Sequence, residues 1–358
     1  MITSCLFTSC LFETEKDPGR PATTFDLSRL ERARNPLAET YAVPEGKSIV
    51  GLQFAFRSMN YAWEVDSNVE AFHEQTGQYP AVTGAYFDLS SQPQNLKTFL
   101  DAVRADGCIP YVTLDPKDWD EPDLAMQKRF LEMILNGEFD APLKALAVTL
   151  REFKHPVLFR YAHEMNGDWY PYAGGGDADG DGKADGPGKF IQAWRYVHNL
   201  FAQEGAGNLL WIFCPNSEDF PAQEWNRPFK YFPGLEYVDL IFVDGYEHHD
   251  KRSQSLEQSI AYFSNELGLY LESRAEMADS LLPAFGLGEF GTNRIATGLK
   301  TDWYVQSLDY LGEAPGIKFH IMYNSRNGRE DFSLHGLGDR IKTAYLKSRF
   351  QFRLFGPQ

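Results

Sequence analysis

The sequence predicts a single α/β domain, a (β/α)8 TIM barrel behind an N-terminal extension, and three observations carry that expectation. Eight short apolar runs rich in Val, Ile, Phe and Tyr recur along the chain, and stretches with helical spacing separate most of them. No GxGxxG loop follows the first run, where a dinucleotide-binding sheet would need one; the residues there are Gly51-Leu52-Gln53-Phe54. Continuously apolar strands alternating with helices imply a parallel sheet covered on both faces. Eight such units within about 300 residues fit a closed barrel better than a doubly wound sheet.

Taken in order, strands are expected at 49–56, 81–88, 108–114, 156–162, 209–214, 238–244, 283–288 and 317–323. Helices are expected at 94–105, 125–153, 189–203, 255–277 and 302–311. Residues 1–45 are then an extension on the outside, and 46–358 the catalytic barrel, with an insertion near 174–188. Within the extension, Thr3-Ser4-Cys5-Leu6-Phe7 repeats as Thr8-Ser9-Cys10-Leu11-Phe12. Cysteine after Ile2-Thr3-Ser4 resembles a lipoprotein cleavage site without its upstream segment, but a basic start and a sustained apolar run are missing, so no signal peptide is assigned.

Composition narrows the function. Lys+Arg number 34 against Asp+Glu 50, a formal charge of −16 over 358 residues. Such a chain repels a phosphate backbone, so nucleic acid and anionic lipid are not expected partners. No apolar run approaches the length of a membrane span. Aromatic residues make up 15% of the chain, more than a core needs, and some are expected to line a binding surface. Cys108 and Cys214 lie in strand-like apolar runs and read as buried structural thiols; no zinc-type spacing is present.

Barrels place their chemistry at the C-terminal ends of strands. The fourth expected strand ends in Arg160-Tyr161-Ala162-His163-Glu164-Met165-Asn166-Gly167-Asp168-Trp169-Tyr170, and the seventh in Leu287-Gly288-Glu289-Phe290-Gly291-Thr292-Asn293. A lone strand-end Glu would be a rim ion-pair partner. Two of them facing each other across a barrel mouth, with aromatics beside each, match what glycoside hydrolysis requires: one protonated carboxyl for the leaving oxygen and one ionised carboxylate to attack or to activate water.

The run Pro156 to Pro171, together with Ala193-Trp194-Arg195-Tyr196-Val197-His198, Trp211-Ile212-Phe213-Cys214-Pro215-Asn216, Tyr231-Phe232-Pro233-Gly234 and Asp244-Gly245-Tyr246, resembles glycoside hydrolase family 26. The segments occur in that family's order and cover most of residues 50 to 330. The resemblance implies a retaining barrel enzyme on a β-linked polysaccharide, β-1,4-mannan or mixed-linkage β-1,3-1,4-glucan, with β-1,3-xylan or an exopolysaccharide as the alternative substrate and a catalytically silent carbohydrate-binding barrel as the non-enzyme alternative. It makes Glu164 the acid/base, with the aromatic wall beside it expected to raise its pKa, and Glu289 the nucleophile. A retaining mechanism puts these carboxyls about 5 to 5.5 Å apart. Arg160 and His163 are expected to organise the acid/base and the adjoining sugar, Asn166 and Trp169 to bind substrate, and Tyr246 to donate a hydrogen bond to Glu289, favouring its ionised form. Trp169-Tyr170-Pro171-Tyr172 departs from the WFWWG-like run of the family's mannanases and leans towards its glucanases. The family's Trp at the end of strand eight is replaced in Ile321-Met322-Tyr323-Asn324, where Tyr323 is expected to stack, and Trp119 after strand three is a further platform candidate.

A second motif lies after strand four. Asp177, Asp179, Asp181 and Asp185, with Gly182 at position 6 and the Lys183 carbonyl at position 7, follow an EF-hand-like spacing, although Gly188 stands where the bidentate Glu would be. One structural Ca²⁺ is expected there, with no cofactor needed for catalysis. His248-His249 reads as a surface pair, because no third ligand is visible. The protein is expected to be a monomer acting outside the cell, where polysaccharides are.

Overall fold

A computed structural model describes residues 26, 45–174, 186–248, 254–273, 282–327 and 330–353. Eight parallel strands close into a barrel: β1 Ser48–Gln53, β2 Val82–Asp88, β3 Ile109–Asp115, β4 Val157–Tyr161, β5 Leu209–Phe213, β6 Leu240–Glu247, β7 Ala284–Thr292 and β8 Ile317–Tyr323. Each pairs with the next, and β8 returns to β1 with Ile49 opposite Phe319 and Gln53 opposite Tyr323. Closure removes the sheet edges, as expected for a barrel. Phe350–Gln351 adds a short parallel partner to the start of β1.

Two apolar layers hold the barrel. Its interior is filled by residues such as Ile49, Val82, Tyr111, Leu158, Ile212, Phe242 and Phe319, all at or below 1% exposure. A larger layer lies between the strands and the surrounding helices, where Trp194, Phe99, Phe72 and Tyr304 are buried. The main helices are α1 Tyr61–Thr76, α2 Pro93–Ala105, α3 Leu124–Lys128, α4 Phe130–Leu135, α5 Asp140–Phe153, α6 Gly186–Gln203, α7 Leu256–Glu272, α8 Thr297–Glu313 and α9 Asp339–Ala344.

The departures from expectation have local causes. The helix expected at 125–153 is three helices, because Arg129 ends α3 and Gly137, at φ +80°, turns the chain ahead of α5. Helix α1 was not expected from the sequence: its inward face carries Glu64 and Thr76 among Val65, Val69 and Phe72, which blurs the apolar stripe. Glu64 is accommodated there by accepting from the Arg57 N–H at 3.1 Å. Strand β7 runs to Thr292 rather than stopping at 288, so Glu289 lies inside the strand and not at its rim. The extension at 1–45 falls outside the described residues apart from Asp26 and Glu45. Among the described residues no helix is long and apolar enough to cross a membrane.

Candidate active site

The backbone first sets the two carboxylates. After β4 the chain turns through Ala162 (φ +49°) and Glu164 (φ +52°), left-handed conformations that side-chain-bearing residues rarely adopt. Neighbouring strands hold that turn: the Ala162 N–H donates to the Leu114 carbonyl at 3.0 Å and the Glu164 N–H to the Cys214 carbonyl at 2.8 Å. On the other side, the β6–β7 register shifts so that Val243 faces Leu287 while Asp244 faces Glu289, leaving Gly288 as the extra residue. A Cβ on Gly288 would sit 2.5 Å from Cys214 Sγ and 2.6 Å from Asp244 Oδ1, so only glycine leaves room there.

Glu164 and Glu289 line one cavity of about 360 Å³ at the C-terminal face of the barrel. Glu164 accepts hydrogen bonds from Trp169 Nε1 and Asn216 Nδ2, both at 2.7 Å. Glu289 is 3% exposed and accepts from Arg160 Nη2, the Tyr86 hydroxyl and the Tyr246 hydroxyl. Burial alone would raise its pKa, but the charges of Arg160 and His163 and the two tyrosine hydroxyls outweigh it and hold the carboxyl below its ordinary value. Arg160 also grips both oxygens of Asp244, at 3.2 and 2.9 Å. Asp244 goes the other way: burial pushes its pKa up, Arg160 opposes that, and the neighbouring Glu289 and Glu164 add to it. The barrel centre therefore stabilises charge on Glu289 in preference to Asp244.

Behind Glu164 lies a second buried network. Asp115 pairs with His163 Nδ1 at 3.0 Å and Lys117 Nζ at 3.2 Å, and accepts from the Tyr172 hydroxyl at 3.1 Å. The other His163 nitrogen faces the Tyr170 hydroxyl at 3.0 Å, and Tyr170 lines the cavity. Lys117 Nζ lies over the Trp119 ring at 3.3 Å and the Tyr170 ring at 4.2 Å.

The sequence-expected residues fall into three groups. Trp169, Tyr246 and Tyr323 line the cavity with the two glutamates. Arg160, His163 and Asn166 are buried behind it and bond to the lining residues Glu289, Tyr170 and Asn216 respectively. The expected role of Arg160 is corrected, since its guanidinium pairs with Glu289 and Asp244 rather than with the acid/base. Trp119 is outside the cavity lining, with its ring packed on Lys117. His248 also lines the cavity, 3.7 Å from Glu330, instead of being a simple surface residue; His249 is not among the described residues. Asp177, Asp179, Asp181, Lys183 and Asp185 likewise lie outside the described residues. Cys108 and Cys214 are buried free thiols, as expected.

Sequence reasoning missed Tyr86, Asn216, Asp115 and Lys117 as parts of the site. Asn216 ends the segment Trp211-Ile212-Phe213-Cys214-Pro215-Asn216, and its position just past a strand end was the available signal. His163, Glu164 and Asp244 offer donor atoms within 4.8 Å of one another, a spacing that could hold a metal ion. Their donors are engaged instead with Asp115, Tyr170, Trp169, Asn216 and Arg160. The grouping is a hydrogen-bonded site rather than a ligand cage.

A closed (β/α)8 barrel with paired carboxylates in one cavity at its C-terminal face has the architecture of a glycosidase. The family model for glycosyl hydrolase family 26 matches residues 127–284, a stretch that contains Glu164 and ends five positions before Glu289. Over that stretch, less than half of the chain, the sequence is similar to this family. Endoglucanase H of Acetivibrio thermocellus is 26% identical over 181 residues, covering 51% of this chain and 18% of that protein. Mannan endo-1,4-beta-mannosidase A and B of Caldalkalibacillus mannanilyticus is 34% identical over 100 residues, covering 27% of this chain and 17% of that protein. The chain thus spans under a fifth of the length of these two relatives. A family 26 beta-mannanase from Bacteroides ovatus shares the fold at TM-score 0.61 and 17% identity, over 91% of this chain and 93% of its own.

Proposed function

We propose that the chain is the catalytic domain of a retaining endo-β-glycanase acting on a neutral β-linked hexose polymer, with β-1,4-mannan as the first substrate. The observation that carries this reading is that Glu164 and Glu289 share one cavity with opposite surroundings. Glu289, held ionised by Arg160, attacks the anomeric carbon, while Glu164 donates its proton to the glycosidic oxygen and the leaving chain departs. Glu164 then takes a proton from water, which attacks the glycosyl-enzyme at the same carbon and releases Glu289. The configuration at the anomeric centre is retained.

Neutral substrate follows from the charge of the cavity. Glu164, Glu218, Glu289 and Glu330 line it, and among the described lining residues there is no Lys or Arg. A uronate polymer would be repelled. Mannan is supported by the mannan endo-1,4-beta-mannosidases among the relatives. A β-glucan is the second reading, favoured by Pro171 and Tyr172 where the family's mannanases carry tryptophan and by the match to Endoglucanase H over half of this chain. An enzyme on such polymers acts outside the cell, so export is part of the reading. The acidic loop at 177–185 is proposed to take one structural Ca²⁺.

The test is reducing-sugar release from mannan, mixed-linkage glucan and β-1,3-xylan side by side, with Glu289→Ala and Glu164→Ala. Mannan turnover is expected. Glu289→Ala should abolish it on every substrate, whereas Glu164→Ala should keep activity on aryl glycosides with good leaving groups and be partly rescued by azide. Equal and unrescued loss in both variants would overturn the roles, and no release from any polymer would overturn the function.

A further inference from the structure

We propose that Phe220 is a sugar-stacking platform on the leaving-group side of the cleft, beyond Glu164, an inference that rests on the glycanase reading above. Phe220 is 52% exposed, one of ten large apolar side chains left in water among the described residues. It stands on the loop after β5, and that loop belongs to the acid/base: Asn216 donates to Glu164, and Ser217 and Glu218 line the same cavity. Consecutive Cα atoms are about 3.8 Å apart, so Phe220 lies at most about 8 Å from Glu218 along the chain. The general acid protonates the oxygen that leaves with the departing chain, so the wall next to it borders the leaving-group sugars.

The loop is held with a precision that an ordinary surface loop does not need. Asn166 Nδ2 donates to the carbonyls of Asn216 (2.9 Å) and Glu218 (3.2 Å) and to Asp219 Oδ1 (2.9 Å). Its Oδ1 accepts the Asn216 N–H at 2.8 Å, and its carbonyl accepts the N–H of Phe220 at 2.8 Å and Asn226 Nδ2 at 2.8 Å. Asp219, buried between the exposed Glu218 and Phe220, accepts from the Tyr262 hydroxyl and from Arg227 at 3.4 Å. The half-exposed Phe220 ring lies just outside the cavity lining, two residues beyond Glu218 on this fixed loop. A pyranose ring would cover it, because the axial C–H face of a pyranose lies flat on an aromatic ring and buries its apolar area. Of the other exposed aromatics on these loops, Trp169 lines the cavity and is bonded to Glu164 itself, and Trp119 has Lys117 over its ring; no such cation over Phe220 is found among the described residues.

Two readouts test this in the whole chain. The first is the ratio of kcat/KM on the polymer to kcat/KM on a short aryl glycoside, which Phe220→Ala should lower about tenfold and Phe220→Trp should restore. The second is the cleavage pattern of a β-1,4-linked hexaose in ¹⁸O-water, read by mass spectrometry; Phe220→Ala should shift cuts towards the end that leaves fewer sugars on the leaving-group side. An unchanged ratio and pattern in Phe220→Ala, with the wild type active on polymer, overturns the platform alone. A wild type inactive on every polymer overturns the glycanase reading and the platform with it.

Discussion

Arg160 and Glu289 form a buried ion pair across the barrel, the guanidinium reaching from β4 to a carboxylate on β7 that is 129 residues away in sequence. Burying an ion pair is costly, and its Coulomb energy offsets that cost only when the remaining donors are also used. Here they are used: Arg160 bonds Asp244 twice and the Thr113 hydroxyl at 2.9 Å. The pair favours the ionised form of Glu289.

The first prediction concerns that protonation. Glu289 is held below the ordinary carboxyl pKa, and the acidic limb of kcat/KM against pH reports the ionisation of such a group in the free enzyme. Removing the cation raises the pKa, so Arg160→Met should move the limb to higher pH and lower kcat/KM by about 100-fold, the scale for losing one preorganised charge-stabilising donor. Because Arg160→Met also leaves Asp244 unpaired, Tyr246→Phe is the gentler control: one donor to Glu289 is lost, and a smaller shift in the same direction is expected. A limb unmoved in both variants would refute the assignment of Glu289 as the ionised nucleophile.

The second prediction concerns stability. Lys117 is 5% exposed and Asp115 fully buried, so breaking their 3.2 Å pair leaves a poorly compensated carboxylate. Lys117→Met should cost about 3 to 5 kcal/mol at neutral pH. Burial works against the charged form of Asp115, but Lys117 and His163 outweigh it and hold its pKa well below the ordinary value. A depressed carboxyl stabilises the fold above its unfolded pKa of about 3.9, and that contribution is lost as pH falls towards the folded value. The gap between wild type and Lys117→Met should therefore narrow below about pH 4. Urea unfolding at pH 7 and pH 3.5 checks it; a gap below 1 kcal/mol, or one indifferent to pH, would count against it.

The strand order was legible because each barrel strand is a continuous apolar run, and a strand buried on both faces has no other pattern to show. Glu164 and Glu289 were legible because a carboxylate at the end of such a run, crowded by aromatics, conflicts with simple packing. Tyr86 was not. In Val82–Asp88 a tyrosine is an ordinary strand residue, and only closure of the barrel brings it to Glu289, 203 positions away. Lys117 was hidden for the same kind of reason, since a lysine two residues past a strand normally reads as solvated surface. Its burial depends on Asp115 at the end of β3, Trp119 in the loop after it and Tyr170 in the loop after β4 converging on it. Helix α1 escaped because Glu64 occupies its inward face.

The last prediction is that one Ca²⁺ binds the loop at 177–185 for structural reasons. Asp177, Asp179, Asp181 and Asp185 put four carboxylates within nine residues, and their mutual repulsion must be met by a cation or by separation into solvent. The Gly186 N–H donates to the Gly174 carbonyl at 2.9 Å, so the chain leaves and re-enters at one point, and the Gly174 N–H reaches back to the Met165 carbonyl at 3.3 Å, next to Glu164. A ligand that binds only the folded chain stabilises it by about 2.7 kcal/mol at 100 times its Kd, which for a domain of this size is a Tm shift of about 5 °C. EDTA should lower Tm by that order and Ca²⁺ should restore it, while Asp177→Asn/Asp181→Asn should lower Tm and make it indifferent to both. Catalysis needs no metal, so kcat of the chelated enzyme below its Tm should stay within about twofold of the untreated enzyme. A wild-type Tm that ignores chelation, or a double variant that still responds to Ca²⁺, would sink the site.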